Sequence, residues 1–190
     1  PFLGEIPLVK HSRMERVKSR KSKTPERIIY YDGMSKSILT ESLRILTTNI
    51  EFMKDSASKG NVITLTSFNP GAGKSFVMSN IAACIADSNK TVVMVDCDLR
   101  KRSMSRSFGH SHKTKGVSNY LYDTSLQLDS IIFKDVAPGI DLIPAGMVPP
   151  NPVELLKRDR FEQMIRDLRD RYDYVLIDYV PVNVVADAPI

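Results

Sequence analysis

NVITLTSFNPGAGKSFVMSNIAACIADS, residues 61–88, decides how this chain folds. Four of its first seven residues, Val62, Ile63, Thr64 and Thr66, are β-branched, and the run ends in a Pro/Gly turn, which predicts a strand. From Ser75 to Ser88 the apolar residues return at helical spacing, which predicts a helix. Between them lies NPGAGKS, Asn69 to Ser75. Closely spaced glycines let a backbone curl tightly and turn successive N–H groups toward an anion, and the helix that follows adds its positive end. Lys74 is placed to reach β and γ phosphates, and the Ser75 hydroxyl to help hold Mg²⁺. The pattern GxxxxGK[ST] is not fully met, because Phe68 stands where its first glycine belongs. A Gly-rich turn followed by a chance Lys-Ser is the plainer alternative, and the strand–loop–helix setting argues against it. Pro70, Gly71, Ala72, Gly73, Lys74, Ser75 and Phe76 are therefore the candidate nucleotide-binding residues.

Working outward, TVVMVDCD (91–98) and YDYVLIDYV (172–180) are short apolar runs that meet acids, as buried parallel strands do at their carboxyl ends. IDLIPAG (140–146) predicts a further strand. SKSILTESLRILTTNIEFMK (35–54) predicts an amphipathic helix, 117–123 a short one, and residues 99–115 a polar, basic loop. Residues 151–171 predict one long helix, with Asn151 at the cap, Pro152 at the first position and Glu154 three residues after the cap. Strands alternating with helices give an α/β fold with a doubly wound, mainly parallel sheet, P-loop NTPase-like. Such a sheet delivers Asp96, Asp98 and Asp178 to the ligand crevice. A few carboxylates beside phosphates suffice for Mg²⁺. Helix capping or turn formation explains either Asp96 or Asp98 alone, but not all three acids beside a phosphate loop. The chain stops soon after a strand, so the domain over 35–190 is expected to be incomplete at its C-terminus.

The net charge of +5 is concentrated: residues 10–27 hold eight Lys or Arg against two Glu, leaving the rest nearly neutral. A nearly neutral body argues against nucleic acid as a partner. Residues 1–34 read as a basic leader, either beside an anionic membrane surface or as a solvated linker. No run approaches the roughly 18 apolar residues of a membrane span, and the opening PFLGEIPLVK lacks the features of a signal peptide. Cys84 and Cys97 are expected in a helix and a buried strand, as reduced thiols in a cytosolic setting.

Beyond the phosphate loop, VVMVDCDLRKRS resembles the second aspartate-bearing motif, and YDYVLIDYVP the Walker B motif, of the bacterial tyrosine kinases (BY-kinases) of capsule and exopolysaccharide biosynthesis. These are P-loop ATPases with deviant Walker motifs. AGMVPPNPVELL (145–156), FG (108–109), GVSNYL (116–121) and ESLRILTTNI (41–50) also match that family, the last resembling its oligomerisation helix ExxRxxR. The resemblance begins near residue 36, and PFLGEIPLV looks like the segment after the family's second membrane span. Three positions depart from it: Thr47 stands for the second arginine, Tyr179-Val180 for Thr-Pro, and Ala72 for a common glutamate.

The resemblance implies an ATP-dependent protein-tyrosine autokinase that regulates polysaccharide polymerisation and export. It would be the cytoplasmic domain of an inner-membrane protein, using ATP/ADP and Mg²⁺. Its implied partners are a second copy of itself, in a homo-oligomer or ring through Glu41 and Arg44, a membrane-spanning co-polymerase portion and a cognate tyrosine phosphatase. Lys74, Asp96, Asp98 and Asp178 are the catalytic candidates; Ser75, Asp96 and Asp178 are the metal candidates. Either Asp96 or Asp98 would touch the metal or accept the tyrosine proton. Two rivals share the fold. A partitioning-type ATPase needs a lysine where Asn69 stands, and a nucleotide-sensing pseudokinase scaffold is suggested by the Walker B departure.

Overall fold

The computed structural model describes residues 3–6, 29, 31–53, 60–69 and 71–180. In chain order these form α1 (Ile38–Phe52), β1 (Asn61–Leu65), α2 (Lys74–Asp87), β2 (Val92–Asp96), α3 (Ser103–Ser107) and α4 (Val117–Tyr122). A single 3₁₀ turn (Leu128–Ile131) leads to β3 (Phe133–Ala137), β4 (Ile140–Ile143), α5 (Pro152–Leu156), α6 (Asp159–Arg171) and β5 (Tyr174–Asp178).

The five strands form one sheet in the order β1-β5-β2-β4-β3. β1, β5, β2 and β4 are parallel, and β3 is an antiparallel edge. The central strands are buried on both faces, which is why they read as continuous apolar runs. Their side chains alternate between two cores. Val92, Met94, Tyr174 and Leu176 face α1 and α2, with Leu43, Met78, Ile81 and Ile85. Val93, Val95, Val175 and Ile177 face the opposite layer, with Val117, Leu121, Met164 and Leu168. The doubly wound α/β P-loop fold expected from the sequence is the fold observed.

The two edges differ. β1 is paired only with β5 among the described residues. The outer strand β3 is irregular against β4, carries the exposed Lys134, and bends at Asp135, whose φ is +49°. Asp141 pins it by accepting from Lys134 Nζ (2.7 Å), the Tyr172 hydroxyl (2.5 Å) and the Asp135 N–H (3.0 Å).

Four local expectations are corrected. The basic segment 99–115 contains the helix α3. Residues 151–171 are two helices, because Arg158 is extended (φ −69°, ψ 144°) and donates to Leu121 O at 3.0 Å. Arg160 turns the same way, to Tyr120 O and Leu126 O, both at 2.8 Å. These guanidinium groups satisfy carbonyls around the end of α4, which an unbroken helix could not reach. Asn151 does precede α5 with Pro152 next, but its side chain makes no capping bond. Cys97 lies just beyond β2 rather than within it; it and Cys84 are buried free thiols. Most of the basic leader, Tyr30 included, and the last ten residues lie outside the described residues.

Candidate functional site

The phosphate loop follows β1 and opens α2. Gly71 (φ +80°) and Gly73 (φ +87°) adopt left-handed backbone that side chains rarely tolerate. A Cβ built on either meets nothing within 4 Å, so no described residue crowds the loop at these glycines. α2 begins at Lys74 with no side-chain cap, and the positive end of a helix favours an anion. Lys74 Nζ rests on Ser67 Oγ at 3.4 Å, and Ala72 is exposed. Pro70 lies outside the described residues.

The sheet register brings the acids together. Asp96 and Asp178 are direct partners across β2 and β5, and both are buried. Ser75 Oγ donates to Asp178 Oδ2 at 2.5 Å, so the first turn of α2 and the end of β5 meet at one point. Asp178 Oδ1 is buried with no hydrogen-bond partner. A buried carboxylate oxygen without a donor is costly, and this one lies beside the loop. Burial, reinforced by the charge of Asp98, pushes the Asp178 carboxyl above its ordinary range, against the Ser75 hydrogen bond and the charge of Lys74.

Asp96 is engaged differently. Its Oδ2 accepts from the Ser105 N–H (2.8 Å) and hydroxyl (2.6 Å), and its Oδ1 accepts from the Asp98 N–H (3.2 Å). Burial raises its carboxyl to about 7, although both Ser105 bonds oppose the shift. Asp98, also buried, accepts from the Lys101 N–H at 2.9 Å through Oδ1 and shows no bond to Oδ2. Both Asp96 oxygens accept hydrogen bonds, so a metal there would share a carboxylate already oriented by Ser105 and the Asp98 N–H. Ser105 itself was not visible in sequence: it lies nine residues away, in the segment read as a loop.

No cluster of three or more His, Cys, Asp or Glu among the described residues forms a metal cage. Mg²⁺ keeps several waters and takes one or two carboxylates alongside phosphate oxygens. Ser75 Oγ and the orphaned Asp178 Oδ1 are the fitting donors.

The Walker B departure is absorbed by the fold. Tyr179 N–H donates to Leu65 O at 3.0 Å, and Val180 is buried with its carbonyl accepting from Thr66 Oγ1 at 2.9 Å. Away from the loop, Glu41 Oε1 and Arg44 Nη1 pair within α1 at 3.0 Å, both partly exposed. Thr47 faces inward instead, buried and bonded to Leu43 O at 2.8 Å.

Residues 60–187 match the family model described as an AAA domain. The chain is 38% identical over 158 residues to the tyrosine-protein kinase wzc of Salmonella typhimurium, covering 83% of this chain and 22% of that protein. It spans about a fifth of the length of the curated relatives it matches. Among solved structures it superposes on the kinase domain of Escherichia coli tyrosine kinase ETK with a TM-score of 0.79 and 32% identity, covering 98% of this chain and 71% of that one. The septum site-determining protein MinD of Pyrococcus horikoshii, solved with Mg-ADP, shares the fold: TM-score 0.53, 24% identity, covering 63% of this chain and 48% of that one. No helix among the described residues is long and apolar enough to cross a membrane.

Proposed function

This chain belongs to the bacterial tyrosine kinases, and from that premise we propose that it binds ATP with Mg²⁺ and transfers the γ-phosphoryl group to tyrosine. The observation that carries the proposal is the Ser75–Asp178 contact of 2.5 Å, with Asp178 Oδ1 left unpartnered beside an uncrowded glycine loop. Ser75 and Asp178 would hold the metal, which when bound would screen phosphate charge. The acceptor hydroxyl oxygen forms the new bond to the γ-phosphorus, the bond from that phosphorus to the β–γ bridging oxygen breaks, and ADP leaves. Lys74 and the loop N–H groups stabilise charge on the transferring group. Asp98, with an oxygen unbonded, accepts the proton, while Asp96, committed to Ser105 and Asp98, positions the loop after β2.

Within the longer protein that its relatives suggest, the domain would lie on the cytoplasmic face of the inner membrane. There it would couple to a membrane-spanning portion, to a second copy through Glu41 and Arg44, and to a cognate phosphatase. Its output would be control of capsule or exopolysaccharide polymerisation and export. The test is transfer of label from γ-labelled ATP to tyrosine in the full-length protein, wild type against Lys74→Met. Label that persists in the variant refutes the assignment. ATP binding without any tyrosine label in the wild type favours the pseudokinase reading, which the Tyr179-Val180 pair motivates. ATP hydrolysis with nucleotide-dependent dimerisation and no label favours the partitioning-type ATPase.

A further inference from the structure

Residues 31–33 bridge the two helices that carry the self-association pair and the phosphate loop. The Tyr31 N–H donates to Asn80 Oδ1 at 2.8 Å, and Asn80 is wholly buried in α2, with its own amide nitrogen donating to Phe76 O at 2.8 Å. The Tyr31 hydroxyl donates to Asp87 Oδ2 at 3.0 Å, near the other end of the same helix. Two residues on, the Gly33 carbonyl accepts from Nη2 of Arg44 in α1, whose Nη1 holds Glu41. Ile29 and Tyr31 pack against the core beneath, and with Gly33, Ala83 and Asp87 they line a groove of about 600 Å³.

The fit is close at Gly33. A Cβ there would come 2.3 Å from Asp87 Oδ2, the oxygen that receives the Tyr31 hydroxyl. A larger residue there must swing the exposed Asp87 carboxylate away, at the expense of its bond from the Tyr31 hydroxyl. Burial, against an opposing bond from Arg44, raises the Tyr31 phenol to about 12, so it remains a donor at neutral pH.

We propose that residues 31–33 are a latch: shut, they hold Arg44 on its own chain, and opening them releases the arginine to an acidic side chain of a second copy. The inference rests on the reading of Glu41 and Arg44 as the self-association pair. A guanidinium presents its N–H donors in a fixed planar fork, and a carboxylate bound across it needs two adjacent donors at once. With Nη2 on Gly33 O and Nη1 on Glu41, one N–H of each terminal nitrogen is engaged on its own chain, and these two bonds fix the direction of the fork although the side chain reaches solvent.

The test combines hydrogen–deuterium exchange with sedimentation velocity. The proteins are wild type, Gly33→Ala, Tyr31→Phe, Arg44→Ala and Gly33→Ala/Arg44→Ala. In Gly33→Ala and Tyr31→Phe, exchange at residues 31–33 should rise and the association constant should increase about tenfold. The double variant should show the faster exchange without the gain in association. Unchanged exchange in both single variants overturns the docking. Faster exchange with unaltered association, while Arg44→Ala still weakens association, overturns the latch alone. Association indifferent to Arg44 in every background overturns the self-association reading and the latch with it.

Discussion

Ser105→Ala tests the architecture behind the nucleotide crevice. The hydroxyl it removes donates to Asp96 Oδ2 at 2.6 Å and accepts from the Ala145 N–H at 2.9 Å, both out of solvent. A hydrogen bond to Asp96, whose carboxyl sits at about 7, contributes about 0.5–3 kcal/mol according to its charge, and a buried N–H left without a partner costs about 1–3 kcal/mol. The substitution removes no carbon, so no cavity term of note is added. The two costs overlap, because the loop after β4 can shift slightly, and a loss of about 3 kcal/mol is expected. For a chain of this size each kcal/mol moves Tm by about 2–4 °C, so the melting temperature should fall by about 6–12 °C. The assay is thermal unfolding of the nucleotide-free protein followed by circular dichroism, with Ser130→Ala as the control. Ser130 bonds Gln127 O at an exposed turn, and its loss should stay within about 0.5 kcal/mol. A fall of less than about 2 °C for Ser105→Ala would refute the view that this serine joins β2 to β4 behind the site.

Lys74→Met should keep the fold and lose most ATP affinity in calorimetry, since its charge on the phosphates is gone; undiminished binding would sink the phosphate-loop assignment. Asp178→Asn should still bind ADP but lower phosphoryl transfer by at least ~10²-fold, and near-normal transfer would place the metal elsewhere. Leu43→Ala, at a position with no solvent exposure, should cost about 2–5 kcal/mol in urea unfolding. Burial pushes the Asp141 carboxyl up, but bonds from Lys134, Tyr172 and the Asp135 N–H outweigh it and hold the carboxyl below its ordinary range. The stability this gives is therefore complete above the unfolded carboxyl range and lost as pH falls through the folded value. Asp141→Asn should flatten the acid limb of the stability–pH curve, and an unchanged limb would show the network contributes nothing.

What a single sequence reveals here tracks how far the causes are local. The strands β1, β2 and β5 and the helices α1 and α2 could be read because apolar spacing and glycine placement lie within each segment. The approach of Ser75 to Asp178 follows from parallel strand order, so the acids at strand ends could be nominated in advance. β3 could not be read, since FKDVA is an exposed edge without a clean apolar alternation, held through Asp141 on the neighbouring strand. The break after α5 depends on Arg158 and Arg160 finding carbonyls more than thirty residues away. Nor does spacing separate Asp96 from Asp98; their difference comes from Ser105, which only the fold brings near. The same limit hid Tyr31, whose partners Asn80 and Asp87 lie 49 and 56 residues along the chain.

The unequal edges of the sheet make it a one-way template. At β3 the left-handed Asp135 and the outward Lys134 spoil the row of backbone groups that another strand would copy. β1 has no such guard in Asn61–Leu65, and its residues alternate between partly buried and exposed. Among the described residues, the edge suited to a further strand, from the same polypeptide or from another, is therefore β1. Such a strand would come to lie beside the one that feeds the phosphate loop, where its arrival would be felt directly by Ser67 and Lys74.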